Sequence, residues 1–226
     1  MKTILDLGCG TGNTLHAYYA KNNVIGIDIH PENIAICKQR MPKGTWIVGD
    51  VTNVDIKNYA NVNTIISTEV IEHVDDWKKM ITVLGSAPSG TKLYLTTPIK
   101  QSEEKLLLLR KNYWKEIGHQ HFFTGDELRN ALKKHGWTDV HVRRHNAALY
   151  FELKALFKRN APCIRNTYYE NVLPLWQKIL FLYFKPDVYK TRLKYIPLWL
   201  ITRPIARLIL DPIWGAGMVI TAQKQA

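Results

Sequence analysis

The sequence predicts an α/β fold: a seven-stranded, mostly parallel sheet with helices on both faces and a helical insertion before the last strand. Three observations carry this expectation. The first dozen residues run strand, glycine turn, helix. Short apolar strands then recur between helical segments as far as Arg143. A last strand-like run, Gly217 to Ala222, follows a long stretch of different composition. Strands and helices alternating at short spacing imply a parallel sheet covered on both faces.

Each element has its own signal. Thr3 to Leu7 is apolar with β-branched residues and reads as a buried strand, broken by Gly8-Cys-Gly-Thr-Gly12. Thr14 to Ala20 reads as the helix that follows. Val24 to Asp28 is the second strand. Pro31 sits at an early helical position, where its missing N–H costs little, and opens a helix through Arg40. Thr45 to Val48 and Asn63 to Ser67 are the third and fourth strands, Asp75 to Leu84 a helix, and Thr91 to Thr96 the fifth strand. Thr124 and Glu127 spell a capping box for a helix ending near Gly136. Asp139 to Arg143 alternates as the sixth strand. Strand, glycine turn and helix open a nucleotide-binding unit. Asp28 closes the second strand 22 residues after Asp6, a spacing suited to a ribose diol.

Composition bounds the protein class. A length of 226 residues and 46% hydrophobic content fit one globular domain with an appended lobe. Three cysteines without a CxxC pair argue against a disulfide framework or a cysteine zinc site and for a reduced, cytoplasmic setting. The chain enters a strand within two residues of Met1, so no signal peptide is expected. A net charge of +12 favours an anionic partner: nucleic acid, an anionic membrane surface or a phosphorylated substrate.

Asp6-Leu-Gly-Cys-Gly-Thr-Gly12 resembles the first motif of class I S-adenosylmethionine (SAM) dependent methyltransferases, which have a Rossmann-like sheet. The GxGxG pattern, rather than GxGxxG, favours SAM over a dinucleotide. The resemblance implies a cofactor site built from Asp6, Gly8, Gly10, Gly12, Asp28, Ile29, Asp50, Val51, Thr68 and Glu69. Asp6 would orient the loop and the methionine ammonium. Asp28 would accept from the ribose hydroxyls, since a diol offers two donors to one carboxylate. Asp50 and the Val51 N–H would meet the adenine, and Thr68 or Glu69 the methionine end. The family's final strand is antiparallel, which makes residues between Arg144 and Gly215 an insertion.

Glu69, Glu72 and His73 fall within five residues after the fourth strand. On a helical turn, positions i, i+3 and i+4 share one face, and two carboxylates with an imidazole suit a divalent metal. The stretch is similar to two metal-using families, the ubiquinone-pathway O-methyltransferases and the small-RNA 3′-end 2′-O-methyltransferases. That resemblance implies Mg²⁺ or another divalent metal on Glu69, Glu72, His73 and His119, with His121 the weaker choice for the fourth ligand. Many metal-free methyltransferases carry a similar Glu-His-Val stretch; there His73 or His119 would act as catalytic base, since imidazole titrates near neutral pH.

The expected division is a SAM-binding core over 1–146, a basic and aromatic helical insertion over 147–214, and the final strand of the core in 215–226. Residues 147–214 hold eleven lysines and arginines against four acids, interleaved with Trp, Tyr and Leu. No run there reaches the ~18 uncharged residues of a spanning helix. A packed helical lid, a membrane-surface lobe peripheral to an anionic bilayer and an RNA-binding lobe all fit, and the apolar content favours a lipid-like acceptor. The insertion is expected to cover the cofactor and substrate. The expected function is SAM-dependent O-methylation of a small or lipid-like molecule. Methylation of an RNA terminal diol, or a non-catalytic SAM-binding module, is the alternative.

Overall fold

The computed structural model describes residues 1–59, 61–145 and 215–225. Their seven strands form one sheet in the order β3-β2-β1-β4-β5-β7-β6, with β6 (Trp137–His145) at one edge. The central strand β1 (Thr3–Leu7) is buried at every position, as a strand covered on both faces must be. It pairs in parallel with β2 (Asn23–Asp28) and β4 (Val62–Thr68), Leu5 facing Ile25 on one side and Ile65 on the other. β3 (Thr45–Val48) adds to β2, and β5 (Lys92–Pro98) to β4, both parallel. β7 (Gly217–Lys224) runs against β5: Lys224 N–H reaches the Thr91 carbonyl at one end, and Ile99 N–H reaches Ala216 at the other.

The chain steps outward from β1 to β3, then returns to the far side of β1 at β4. Right-handed crossovers in opposite directions put their helices on opposite faces. The reversal between β1 and β4 opens a crevice at the carboxyl ends of the strands. On one face, α2 (Pro31–Arg40) buries Ile34 and Cys37 in a cluster with Ile4, Leu15, Val24, Met41 and Trp46. Cys9 joins this cluster; Cys9 and Cys37 are free thiols, and burial raises both pKa values. α3 (Trp77–Gly85) starts at Asp76, whose carboxylate accepts from Lys79 N–H. α6 (Gly125–Lys134) carries the predicted capping box, with Glu127 N–H donating to Thr124 Oγ1 at 3.2 Å.

Two expectations need correction. The first helix, α1 (Asn13–His16), is one turn rather than Thr14 to Ala20. It starts on Gly12 without a side-chain cap, the N–H groups of Tyr18 and Lys21 reach back only three residues, and Asn23 N–H then meets the Lys2 carbonyl. Two further helices, α4 (Lys100–Leu107) and α5 (Tyr113–Ile117), had no sequence signal. The buried face of α4 contains Ser102 and Glu103 beside Leu106, so its polarity pattern hides it.

The residues fall into two compact units. Among the described residues, the first comprises 1–97, 118–142 and 219–225; the second comprises 98–117, 143–145 and 215–218. The break at Pro98 differs from the expected core of 1–146. In the second unit, Trp114 Nε1 donates to Glu103 at 3.0 Å, and Arg110 holds Glu116 through two contacts, of 3.1 and 2.8 Å. The expected insertion, 147–214, lies outside the described residues. Among the described residues, no helix is long and apolar enough to cross a membrane.

Candidate active site

A cleft of 710 Å³ opens at the carboxyl ends of the strands in the first unit. Gly8, Asp28, Ile29, Asp50, Val51, Glu69 and His73 line it, all predicted site residues. The glycine loop forms its floor. Gly8 and Cys9 N–H donate to the Ile27 carbonyl at 2.8 and 3.0 Å, locking the loop onto β2. Gly8 has φ 78°, and a Cβ there would stand 2.4 Å from Val70 Cγ2, so glycine is required on both counts. Gly10 and Gly12 support the loop from behind. Gly10 N–H donates to Asp28 Oδ2 at 2.7 Å, and Gly12 packs where a Cβ would meet the Met41 methyl at 2.5 Å.

Asp28 is buried and accepts three hydrogen bonds: Gly10 on Oδ2, and His30 N–H (3.0 Å) and Asn33 Nδ2 (3.1 Å) on Oδ1. Two donors fill Oδ1, while Oδ2 keeps a lone pair for an incoming hydroxyl. Asp50 caps the 3₁₀ turn Val51–Asn53, accepting from Thr52 N–H, Thr52 Oγ1 and Asn53 Nδ2, each at 2.8 Å. Its carboxylate thereby holds Val51 at the cleft wall. Lys79, which the sequence reading passed over, also lines the cleft and donates to Asn53 Oδ1.

Asp6 lies beside Asp28 but does not line the cleft. It is 1% exposed, and its Oδ1 has no hydrogen-bond partner among the described residues. Burial, and secondarily the Asp28 charge, raise its pKa from 3.8 to about 7. Thr68 faces elsewhere: it lines a separate hollow of 770 Å³ with Ile66 and Tyr94.

The cluster after β4 differs from the expected helical face. Glu69 sits at φ 56°, outside the turn that follows, and its carboxylate accepts from Thr96 Oγ1 at 2.8 Å. It does not join the other three candidate ligands. Glu72, His73 and His119 do converge, with ligand atoms all within 4.8 Å of one another. Glu72 is buried; its Oε2 accepts from Thr97 Oγ1 at 2.9 Å, and its Oε1 lies 3.9 Å from His73 Nε2. The two imidazole rings meet edge to face at 4.8 Å. His73 Nδ1 donates to the Gly118 carbonyl at 2.9 Å, which turns the Nε2 lone pair toward Glu72. Burial lowers the His73 pKa, which keeps the ring neutral and able to act as a ligand or base. Two imidazoles and one carboxylate with open positions fit a divalent cation. His121 does not join this cluster; its Nε2 bonds the Val74 carbonyl at 2.8 Å.

Sequence reasoning missed Asn33, Arg40 and Val70. Asn33 holds Asp28, Arg40 Nη1 ties the loop through the Thr11 carbonyl (2.7 Å) and Asn13 Oδ1 (2.8 Å), and Val70 packs on Gly8. Each acts on a residue from another element, which spacing along the chain does not reveal.

This strand order, with a glycine loop and a ribose-acid position at its switch point, defines the class I SAM-dependent methyltransferases. The chain belongs to that family: residues 1–142 match the family model described as a methyltransferase domain. Among solved structures, it is similar to phosphoethanolamine N-methyltransferase 2 of Haemonchus contortus in complex with phosphomonomethylethanolamine and S-adenosylhomocysteine. The identity is 15% and the TM-score 0.59, over 100% of this chain and 49% of that one. The chain thus spans about half the length of that enzyme. It is also similar to a SAM-dependent methyltransferase from Archaeoglobus fulgidus (16% identity, TM-score 0.59, 99% of this chain and 86% of that one). A possible histamine N-methyltransferase from Thermotoga maritima matches at 16% identity and a TM-score of 0.58, over 100% and 83%.

Proposed function

We propose that this protein transfers the methyl group of SAM to a hydroxyl of a small or lipid-like acceptor, with a divalent cation held by Glu72, His73 and His119. One observation carries the reading: His73 both lines the cofactor cleft and belongs to the three-residue cluster. Asp28 would take the ribose and the Asp50 turn the adenine. SAM supplies a methyl carbon already made electrophilic by its sulfonium, so the protein's main task is alignment of the acceptor oxygen. A bound cation would acidify that oxygen and fix a vicinal diol. Two imidazoles favour Mn²⁺, Co²⁺ or Zn²⁺ over Mg²⁺. Without a cation, the neutral His73 Nε2 would take the hydroxyl proton as the oxygen attacks. The lipid-like part of the reading rests on the composition of residues 147–214, as does association with an anionic membrane surface.

The test is methyl transfer from radiolabelled SAM to a catechol, a monohydric phenol, a primary amine and an RNA with a terminal diol. Each acceptor is assayed after chelation and after adding back Mn²⁺ or Co²⁺. The reading predicts transfer to the catechol, lost on chelation and restored by the ion. Transfer that survives chelation would assign His73 as base. Transfer to the amine alone would refute O-methylation and align the chain with the N-methyltransferases it is similar to. Transfer to RNA that collapses as salt rises would establish the nucleic-acid acceptor instead.

A further inference from the structure

The ligand candidates come from two irregular segments, and two loops hold a metal geometry only if something pins them together. Glu72 and His73 lie in a turn after β4; His119 lies in Gly118–His121, ahead of α6, in neither helix nor strand. The segments are zipped together. Gln120 N–H donates to the Glu72 carbonyl at 2.8 Å, and His73 Nδ1 to the Gly118 carbonyl at 2.9 Å. Two side chains outside the ligand set close the clasp. Gln120 Nε2 donates both its protons, to the His73 carbonyl and to Asp75 Oδ1, each at 2.8 Å. Both partners are acceptors, which fixes the orientation of the amide. His121 Nε2 donates to the Val74 carbonyl at 2.8 Å, and its ring lies 6.0 Å from the fully buried Phe123. The bonds fall on alternate sides of His119, so its backbone is held from both directions.

We propose that Gln120 and His121 are positioning residues, a clasp that sets His119 opposite Glu72 and His73 at the geometry a divalent cation requires. The inference rests on the proposed cation site, and it divides the His-Gln-His segment into one ligand and two supports. Neither support lines the cleft itself; both bond to its histidine end, Gln120 at His73 and Asp75 and His121 at Val74, away from Asp28 and the glycine loop. Their loss therefore loosens the cluster without disturbing Asp28 or the glycine loop.

The experiment titrates Co²⁺ alone, by its visible absorption and by calorimetry, into the full chain and into Gln120→Leu, His121→Phe, their double variant and His121→Gln. S-adenosylhomocysteine affinity and thermal midpoint are measured on each. Partner residues around a metal site contribute about 10–100-fold to affinity. Gln120 is exposed to water, so its loss should cost about tenfold, and the double variant about 100-fold. S-adenosylhomocysteine affinity should stay within about twofold, because the cofactor contacts are untouched. His121→Gln keeps a donor of similar reach and should recover most of the loss. If His73→Ala and His119→Ala abolish Co²⁺ binding while the Gln120 and His121 variants bind like the wild type, the clasp is refuted and the cation site stands. If the wild type itself binds no Co²⁺, both fall. Parallel loss of Co²⁺ affinity, cofactor affinity and thermal midpoint would show a merely structural role and overturn the proposal.

Discussion

Replacing Asp6 by Asn is expected to stabilise the protein above neutral pH while weakening its grip on the cofactor. The Asp6 carboxyl is buried, its Oδ1 makes no hydrogen bond among the described residues, and burial with the Asp28 charge raises its pKa from 3.8 to about 7. The unfolded chain releases this proton near 3.8 and the folded protein near 7. Between those values the unfolded chain binds fewer protons, so stability falls as pH rises through the window and is level above it. Three pK units amount to up to ~4 kcal/mol. Asn does not titrate and escapes this loss, although its new amide N–H, if unpaired, costs ~1–2 kcal/mol. The net gain at pH 8 is therefore ~2–3 kcal/mol, roughly 5–10 °C in thermal midpoint for a chain of this size. Thermal and urea unfolding of both proteins at half-unit steps from pH 5 to pH 8 would measure it. The gap should open between pH 5 and 7 and then hold constant. A gap of the same size at every pH, or a variant less stable at pH 8, would refute the reasoning. In the same window, wild-type affinity for S-adenosylhomocysteine should improve as pH rises, since its ammonium favours an ionised Asp6. The variant's affinity should not change.

Two further substitutions probe the cleft. Asp28→Ala removes the proposed ribose acceptor and leaves the Gly10 N–H without its carboxylate; at ~1.5–3 kcal/mol per hydrogen bond to a charged group, calorimetry should show at least a 100-fold loss of S-adenosylhomocysteine affinity. Unchanged affinity would place the cofactor elsewhere. Gly8→Ala meets both positive φ and the Val70 side chain at 2.4 Å, and should cost ~2–4 kcal/mol in urea unfolding with a matching loss of cofactor affinity. Adding Val70→Ala should restore part of that loss, because the clash is relieved but the backbone strain is not. No recovery in the pair would mean the loop and the turn after β4 are not packed in this way.

The legible half of the site is the one built by regular structure. Asp28 ends a strand and Asp50 lies two residues beyond one, so their spacing along the chain reports their place at the crevice; Asp6, also on a strand, is buried and does not line it. The buried β1, the proline-started α2 and the capping box of α6 were all readable from residue type and period. Glu69 lines the cleft but stands apart from the Glu72–His73–His119 cluster, because its backbone takes a left-handed φ and the turn that Glu72 and His73 share begins after it. Thr68 lines the hollow beside Tyr94 rather than the cleft, because alternation along β4 turns it there. α4 escaped because its buried positions include Ser102 and Glu103, whose polarity reads as surface.

The same contrast separates two jobs within the cleft. The cofactor end is set by strand termini and a glycine loop locked to Ile27, so changing it means changing the sheet. The histidine end is set by a few hydrogen bonds between the segments around residues 72–75 and 118–121. If the proposed cation and acceptor sit at that end, substitutions there redirect them while the glycine loop and Asp28 stay intact. A variant of Gln120 or His121 that changes metal affinity alone would demonstrate this independence. One that also loosens S-adenosylhomocysteine would show that the two ends are coupled, most directly through Val70, which packs on Gly8 and accepts from His73 N–H at 2.9 Å.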